Sequence, residues 1–174
     1  MYLMLQSILK RHVHLALTVL FALVLASCSD DDNPVDPNPW PDTSSEYSDI
    51  EKEIFDLVND YRAENGLPTF SVDAAIIVQC RSHSRDMGKG IVPFGHDGFD
   101  ARIDEIRKSM NVRGGAENVY FRSSESGVAS ATVNAWKNSD GHNKNMLGDY
   151  NVAGVGVEVN SNGNVYVTMI HIKN

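Results

Sequence analysis

His96, Glu117 and His142 stand apart in this 174-residue chain. Each sits in a short polar segment punctuated by glycine or asparagine: Gly95-His96-Asp97-Gly98, Ala116-Glu117-Asn118 and Gly141-His142. Two imidazoles and a carboxylate can do three kinds of chemistry together. As neutral rings and an oxygen donor they fill three corners of a tetrahedral zinc shell and leave the fourth for water or substrate. Near its ordinary pKa of ~6.5, a histidine oriented by an acid serves as a general base. Paired with one another, the same groups form the polar wall of a binding groove, because buried polar groups need partners.

Spacing bears on each option. The three residues lie 21 and 25 positions apart on separate segments, and no His-x-x-x-His pair presets a metal site. Ser139, three residues before His142, is the one hydroxyl a base there would activate. It lacks a Gly-x-Ser-x-Gly elbow, and a serine beside a helix end is ordinarily a capping or turn residue. Ligand binding, a divalent metal such as zinc, and metal-dependent or general-base hydrolysis with His96, Glu117 and His142 as the catalytic candidates therefore all stay open. Phosphate-loop, EF-hand and paired Cys-x-x-Cys motifs are absent from the sequence, so it offers no motif for nucleotide, a calcium loop or a zinc ribbon.

The elements that must position these residues follow from periodicity. Ile50, Ile54, Leu57, Val58 and Tyr61 predict a first helix, with Ser48 and Glu51 as a capping box and Gly66 and Pro68 as its stop. A second helix is predicted from a Ser71 cap to about Met87. Phe99, Ile103, Ile106 and Met110 suggest a third, and Val128, Ala131, Ala135 and Trp136 a fourth. Strands are predicted at Asn118 to Phe121, at Val155 to Val159 and at Val165 to Ile172. Asn160-Ser161-Asn162-Gly163 joins the last two as a hairpin. Helices on a small antiparallel sheet make an α+β domain. Cys80, at helical spacing with Ile76 and Met87, is expected in the core, as are Trp136 and, at its edge, Tyr61. His83, beside Arg81 and Arg85, is expected in solvent. Arg102, Asp104, Glu105 and Arg107 are read as a solvated face, and His171 as a hydrogen-bonded strand residue.

Asn59-Asp60-Tyr61-Arg62 with Gly66-Leu67-Pro68, then His83-Ser84-Arg85-Asp86-Met87, then Ala116-Glu117-Asn118, follow the order of a known domain. The most specific stretch is Trp136-x-x-Ser139-x-Gly141-His142-x-x-Asn145-Met146-Leu147, followed by Gly154-Val155-Gly156-Val157. In that order these segments resemble the CAP superfamily, shared by cysteine-rich secretory proteins, antigen 5 and pathogenesis-related 1 proteins, in its bacterial form. The resemblance implies a three-layer α-β-α sandwich. It maps the family's cavity histidines onto His96 and His142 and its first acid onto Glu117. Ser139 stands where the family carries a second glutamate, so functions needing two carboxylates lose support. Some relatives hold a divalent metal in this cleft, and others are implicated in binding sterols, lipids or protein partners. Asn118 and Asn145 are expected to hold loops through side-chain to backbone hydrogen bonds, and Gly141 to let His142 face the groove.

Lys10 and Arg11 precede an apolar run, Val13 to Ala26, too short for a comfortable membrane span and ending at Leu25-Ala26-Ser27-Cys28. Residues 1–27 are predicted to be a signal peptide. The ending resembles a bacterial lipobox, which makes Cys28 the lipid attachment residue and the membrane a partner through that lipid. Ser29-Asp30-Asp31-Asp32 resembles the acidic tract that sends some bacterial lipoproteins to the outer face of the outer membrane. Residues 33–48 hold four of the six prolines, which predicts a polyproline-like spacer. The expected organisation is thus residues 1–27 signal, 28–48 tether and 49–174 one domain. Loss of residues 1–27 removes Lys10 and Arg11 and no acid, so the formal charge goes from −8 to −10. With no concentrated basic run, nucleic acid is an unsuitable partner.

Overall fold

The computed structural model describes residues 40, 41 and 44–174; the expected signal peptide, Cys28 and the acidic tract lie outside the described residues. Helix α1 (Ser48–Glu64) buries Ile54, Phe55 and Val58 along one stripe. Its end follows from Gly66 at φ +72°: the Gly66 N–H donates to Ala63 O and the Leu67 N–H to Arg62 O, a Schellman closure. Its start differs from expectation. Ser48 is already helical, Tyr47 occupies the N-cap without a side-chain bond, and Glu51 turns into the protein. There the Glu51 carboxylate, fully buried, accepts two arms of Arg81 (2.6 and 2.9 Å) and the Val157 N–H (3.1 Å). The requirement to neutralise Arg81 and to satisfy a strand amide outweighs a cap worth about 1 kcal/mol.

Strand β1 (Ser71–Val72) leads into α2 (Ala74–Gly88), whose N-cap is Asp73. The Asp73 carboxylate accepts the Ala75 and Ile76 N–H groups at 2.8 and 3.3 Å. Ser71, the expected cap, is drawn into β1 instead. Helix α3 (Phe99–Ile106) and strand β2 (Gly114–Arg122) follow, then α4 (Val128–Lys137), α5 (Asp140–Met146), β3 (Val152–Val159) and β4 (Val165–Lys173). Gly163 at φ +74° closes the β3–β4 turn as expected. Neither α5 nor β1 was visible in the sequence pattern; both are too short to show a period. Strand β2 is longer than expected because Gly114 to Glu117 gain their place from pairing with β4, Gly114 opposite Lys173, rather than from strand propensity.

The sheet order is β1-β3-β4-β2, antiparallel except for the two-residue parallel pairing of β1 with β3. Val155, Val157, Val165, Val167 and Met169 pack with α1 and α4 around Trp136. Ile170, Ile172 and Val152 face Ile76, Cys80, Ile103 and Ile106 of α2 and α3. This is the expected α+β domain, an α-β-α sandwich with two cores. Gly154 and Gly156 let α2 lie directly on β3: a Cβ on Gly154 would stand 2.7 Å from the Ile77 nitrogen, and one on Gly156 would overlap the backbone of Cys80 and Arg81. Cys80 is buried as expected, its thiol on Gly154 O, and burial pushes the thiol well above its ordinary pKa. Apolar packing begins before residue 49, because Trp40 is buried with its ring 5.5 Å from Phe55 in an edge contact.

Candidate functional site

Strand β2 is the edge that organises the site. Glu117 pairs with Ile170 and so faces α2 and α3, whereas Asn118 pairs with Met169 and faces α4. The loop between α2 and α3 carries His96 on the first side, and α5, which follows α4, carries His142 on the second. On the first side the Glu117 Oε1 accepts the His96 Nδ1–H at 3.0 Å. On the second, Asn118 Nδ2 donates to His142 O at 3.1 Å. Asn145 Nδ2 donates to Asn118 Oδ1 at 2.9 Å and to Glu117 O at 3.3 Å. These bonds tie strand β2 to helix α5, where the sequence reading expected Asn118 and Asn145 to hold loops.

Two further residues complete the cluster, and both correct the sequence reading. Arg102 is buried, not part of a solvated face: its Nε donates to Glu117 Oε2 and its Nη2 to Oε1, both at 2.8 Å, a bidentate fork. Its Nη1 donates to Asp97 O at 2.8 Å. His83 is buried as well, 3% exposed, with Nε2 2.8 Å from Gly95 O and 4.0 Å from Glu117 Oε1. A carbonyl only accepts, so His83 carries its proton on Nε2. Arg102 and His83 thus grip the residues on both sides of His96. The signal for them was in the sequence: Arg102 falls on the Phe99, Ile103, Ile106 stripe, and His83 on the Ile76, Cys80, Met87 stripe.

The protonation states follow from these surroundings. Burial, opposed by the bond to Gly95 O and assisted by the Arg102 charge, lowers the His83 pKa. His142 is lowered too, by burial and then by the charge of His96, which also places the two cleft histidines within each other's field. Glu117 spends Oε1 on His96 Nδ1, so the His96 nitrogen left open is Nε2, on a side chain 52% exposed.

Beside His142 lies a groove of about 380 Å³ lined by Phe94, Phe121, Ala135, Trp136, Ser139 and His142 among others. Phe94 and Phe121 are about half exposed, their ring centroids 6.1 Å apart. Trp136 is wholly buried, with its indole N–H donating to Val119 O. Ser139 occupies the N-cap of α5 without a side-chain cap bond, and among the described residues no hydrogen bond joins it to His142. Larger hollows, near Met110 and near Tyr47, hold none of the expected site residues.

A zinc shell needs free lone pairs aimed at one point. Glu117 does not fit as a ligand, because both its oxygens are taken by Arg102 and His96 and an ion there would meet the guanidinium charge. Among the described residues no group of three or more His, Cys, Asp or Glu side chains is placed to hold a metal ion. His171 is likewise no ligand of this site. It is fully buried on β4 between Phe70 and Tyr150 with neither ring nitrogen hydrogen-bonded among the described residues, where the sequence predicted a partnered side chain.

Comparison with known proteins agrees with this architecture. The chain is 26% identical to the uncharacterized protein YkwD of Bacillus subtilis over 132 residues, covering 74% of this chain and 49% of that one. It is 28% identical, at a TM-score of 0.60, to a crystal structure of an extracellular SCP-domain protein from Bacillus anthracis, covering 72% of this chain and 41% of that one. An outer surface protein of Borrelia burgdorferi shares the fold at 15% identity and a TM-score of 0.65, covering 75% and 96%. The chain thus spans about half the length of the two Bacillus proteins or less. The sequence pattern described as CAP, the cysteine-rich secretory protein family, matches residues 55–171, and the chain belongs to that family.

Proposed function

We propose that this chain is an extracytoplasmic binding module, held to the outer face of the outer membrane by lipid on Cys28. Its groove beside His142, which neither His96 nor Glu117 lines, takes a lipid, peptide or protein ligand through an apolar part and an uncharged hydrogen-bonding group. The observation that carries this reading is the commitment of Glu117. With its oxygens occupied by Arg102 and His96, the carboxylate serves to orient an imidazole and is not free to act as a base. What faces the groove is a neutral His142, Ser139 and exposed aromatic surface. A mostly apolar hollow of a few hundred Å³ with few polar groups is the usual form of a binding site. An extracytoplasmic address is supported by the apolar run before Cys28 and by the extracellular Bacillus anthracis relative.

The test uses a soluble form spanning residues 37–174 and the apolar dye 1-anilinonaphthalene-8-sulfonate. Saturable fluorescence in the parent, weakened about tenfold by Phe94→Ala, agrees with a groove that binds through its rings. The competing hydrolase reading gains the upper hand if the parent turns over a p-nitrophenyl ester or a peptide and His96→Ala abolishes that turnover. For the anchor, Cys28→Ala should move the full chain from the membrane to the soluble fraction. Unchanged fractionation removes the lipid.

A further inference from the structure

We propose that Arg102 is the cleft's own cation: its guanidinium occupies Glu117 in place of a divalent metal ion and, together with the His96 Nδ1–H, bars that carboxylate from a metal's ligand shell. The pairing is strong on geometry. Three contacts of 2.7–2.8 Å join the Arg102 fork to both carboxylate oxygens. The Glu117 side chain is 2% exposed and that of Arg102 10%, so solvent screens the pair little.

The guanidinium is also pinned from behind. Arg102 Nη1 donates to Asp97 O, in the loop that carries His96, and the backbone of Arg102 is fixed in α3, the helix that buries Ile103 and Ile106. Swinging the fork away would strand a buried charge and release that loop together, which is costly. An ion arriving at Glu117 would therefore compete with a cation already in place. His96 adds to the exclusion, because the nitrogen it turns towards Glu117 is Nδ1, with its proton. A metal can approach only Nε2, and Glu117 then stands one bond removed, as the orienting acid.

Zinc titration of the untagged full chain in non-ionic detergent tests this, read by calorimetry on the parent, Arg102→Met, Glu117→Gln and the two double variants Arg102→Met/Glu117→Gln and Arg102→Met/His96→Ala. The expected result is weak uptake in the parent, an affinity gain of about tenfold or more in Arg102→Met, and loss of that gain both in Arg102→Met/Glu117→Gln and in Arg102→Met/His96→Ala. A guanidinium that served only to hold the fold would not tighten zinc on removal. Two results overturn the proposal: no tightening in Arg102→Met that retains the parent's circular dichroism, or tight one-to-one zinc in the parent that Glu117→Gln abolishes. If Arg102→Met does not fold, Arg102→Lys decides. Its single ammonium leaves one carboxylate oxygen free, so a smaller gain is expected, and no gain overturns the proposal. Dye binding in the groove reads the ligand site separately, so the failure of one claim does not disguise the failure of the other.

Discussion

Replacing His171 with leucine should remove a measurable share of this domain's sensitivity to acid. The ring is fully buried on the α1-facing side of β4, 5.3 Å from the Phe70 ring and 6.0 Å from that of Tyr150, and the charge that faces it is Arg62. Burial, then that charge, lowers its pKa from 6.5 to about 3. In the unfolded chain the same imidazole titrates near ~6.5. Above that pH neither state holds the proton and the native contacts keep their full value. As the pH falls through the window from 6.5 to about 3, the unfolded chain binds a proton that the native state refuses, and stability declines by ~1.4 kcal/mol per pH unit. From pH 7.5 to 4.5 the loss through His171 is about 2 to 3 kcal/mol, a large part of a typical total of about 5 to 15. Urea unfolding reads it directly. With a slope of about 1 to 3 kcal/mol per M, the parent's midpoint should drop by about 0.7 to 3 M between those pH values on this account. His83 and His142, whose pKa values are also lowered, act in the same direction, so the decisive quantity is the difference between parent and His171→Leu. Equal drops in the two proteins would refute the reasoning and move the acid sensitivity elsewhere.

Glu51→Ala should cost about 3 kcal/mol by removing the buried carboxylate that binds Arg81 and by leaving the buried Val157 N–H unsatisfied, whereas Ser48→Ala should stay within about 0.5 kcal/mol, since no cap bond is lost. Thermal unfolding separates the two; a larger effect at Ser48 would restore the capping box. Gly156→Ala should lower stability by about 3 kcal/mol or more, because its methyl group would meet the α2 backbone and not a movable side chain. Parent-like unfolding of that variant would mean that α2 does not rest on β3.

The main helices and the central hairpin were legible because long amphipathic periods and an Asn-Gly turn are local signals, whereas the three-layer sandwich followed from the family resemblance and not from the pattern. The short pieces were not. Strand β1 and helix α5 span two and seven residues, and the first half of β2 is strand only because β4 pairs with it. The errors at Glu51, His83 and Arg102 share one cause: each lies on the apolar stripe of its helix and is buried, whereas the sequence reading assigns Glu51 to a cap and the other two to water. Position on the stripe is the better guide: a charge or imidazole in register with Ile and Phe must be paired, and its partner is found on another element. Arg62 shows the rule at its fullest, donating to the carbonyls of Pro68, Met146, Gly148 and Tyr150 and so tying the α1 exit to the loop before β3.

That rule also explains why three segments so distant in sequence meet. Successive residues of a strand face opposite sides, so Glu117 and Asn118, adjacent on the edge strand β2, reach into different layers of the sandwich. Glu117 gathers the His96 loop, α2 and α3 through His96, His83 and Arg102, while Asn118 gathers α5 through His142 O and Asn145. One dipeptide therefore sets the position of both histidine segments. The acid becomes unavailable as a consequence of that same arrangement: a carboxylate that must neutralise Arg102 and hold a loop is consumed in building the cleft. Chemistry or recognition is left to His96 Nε2, to His142 and to the aromatic surface between Phe94 and Trp136.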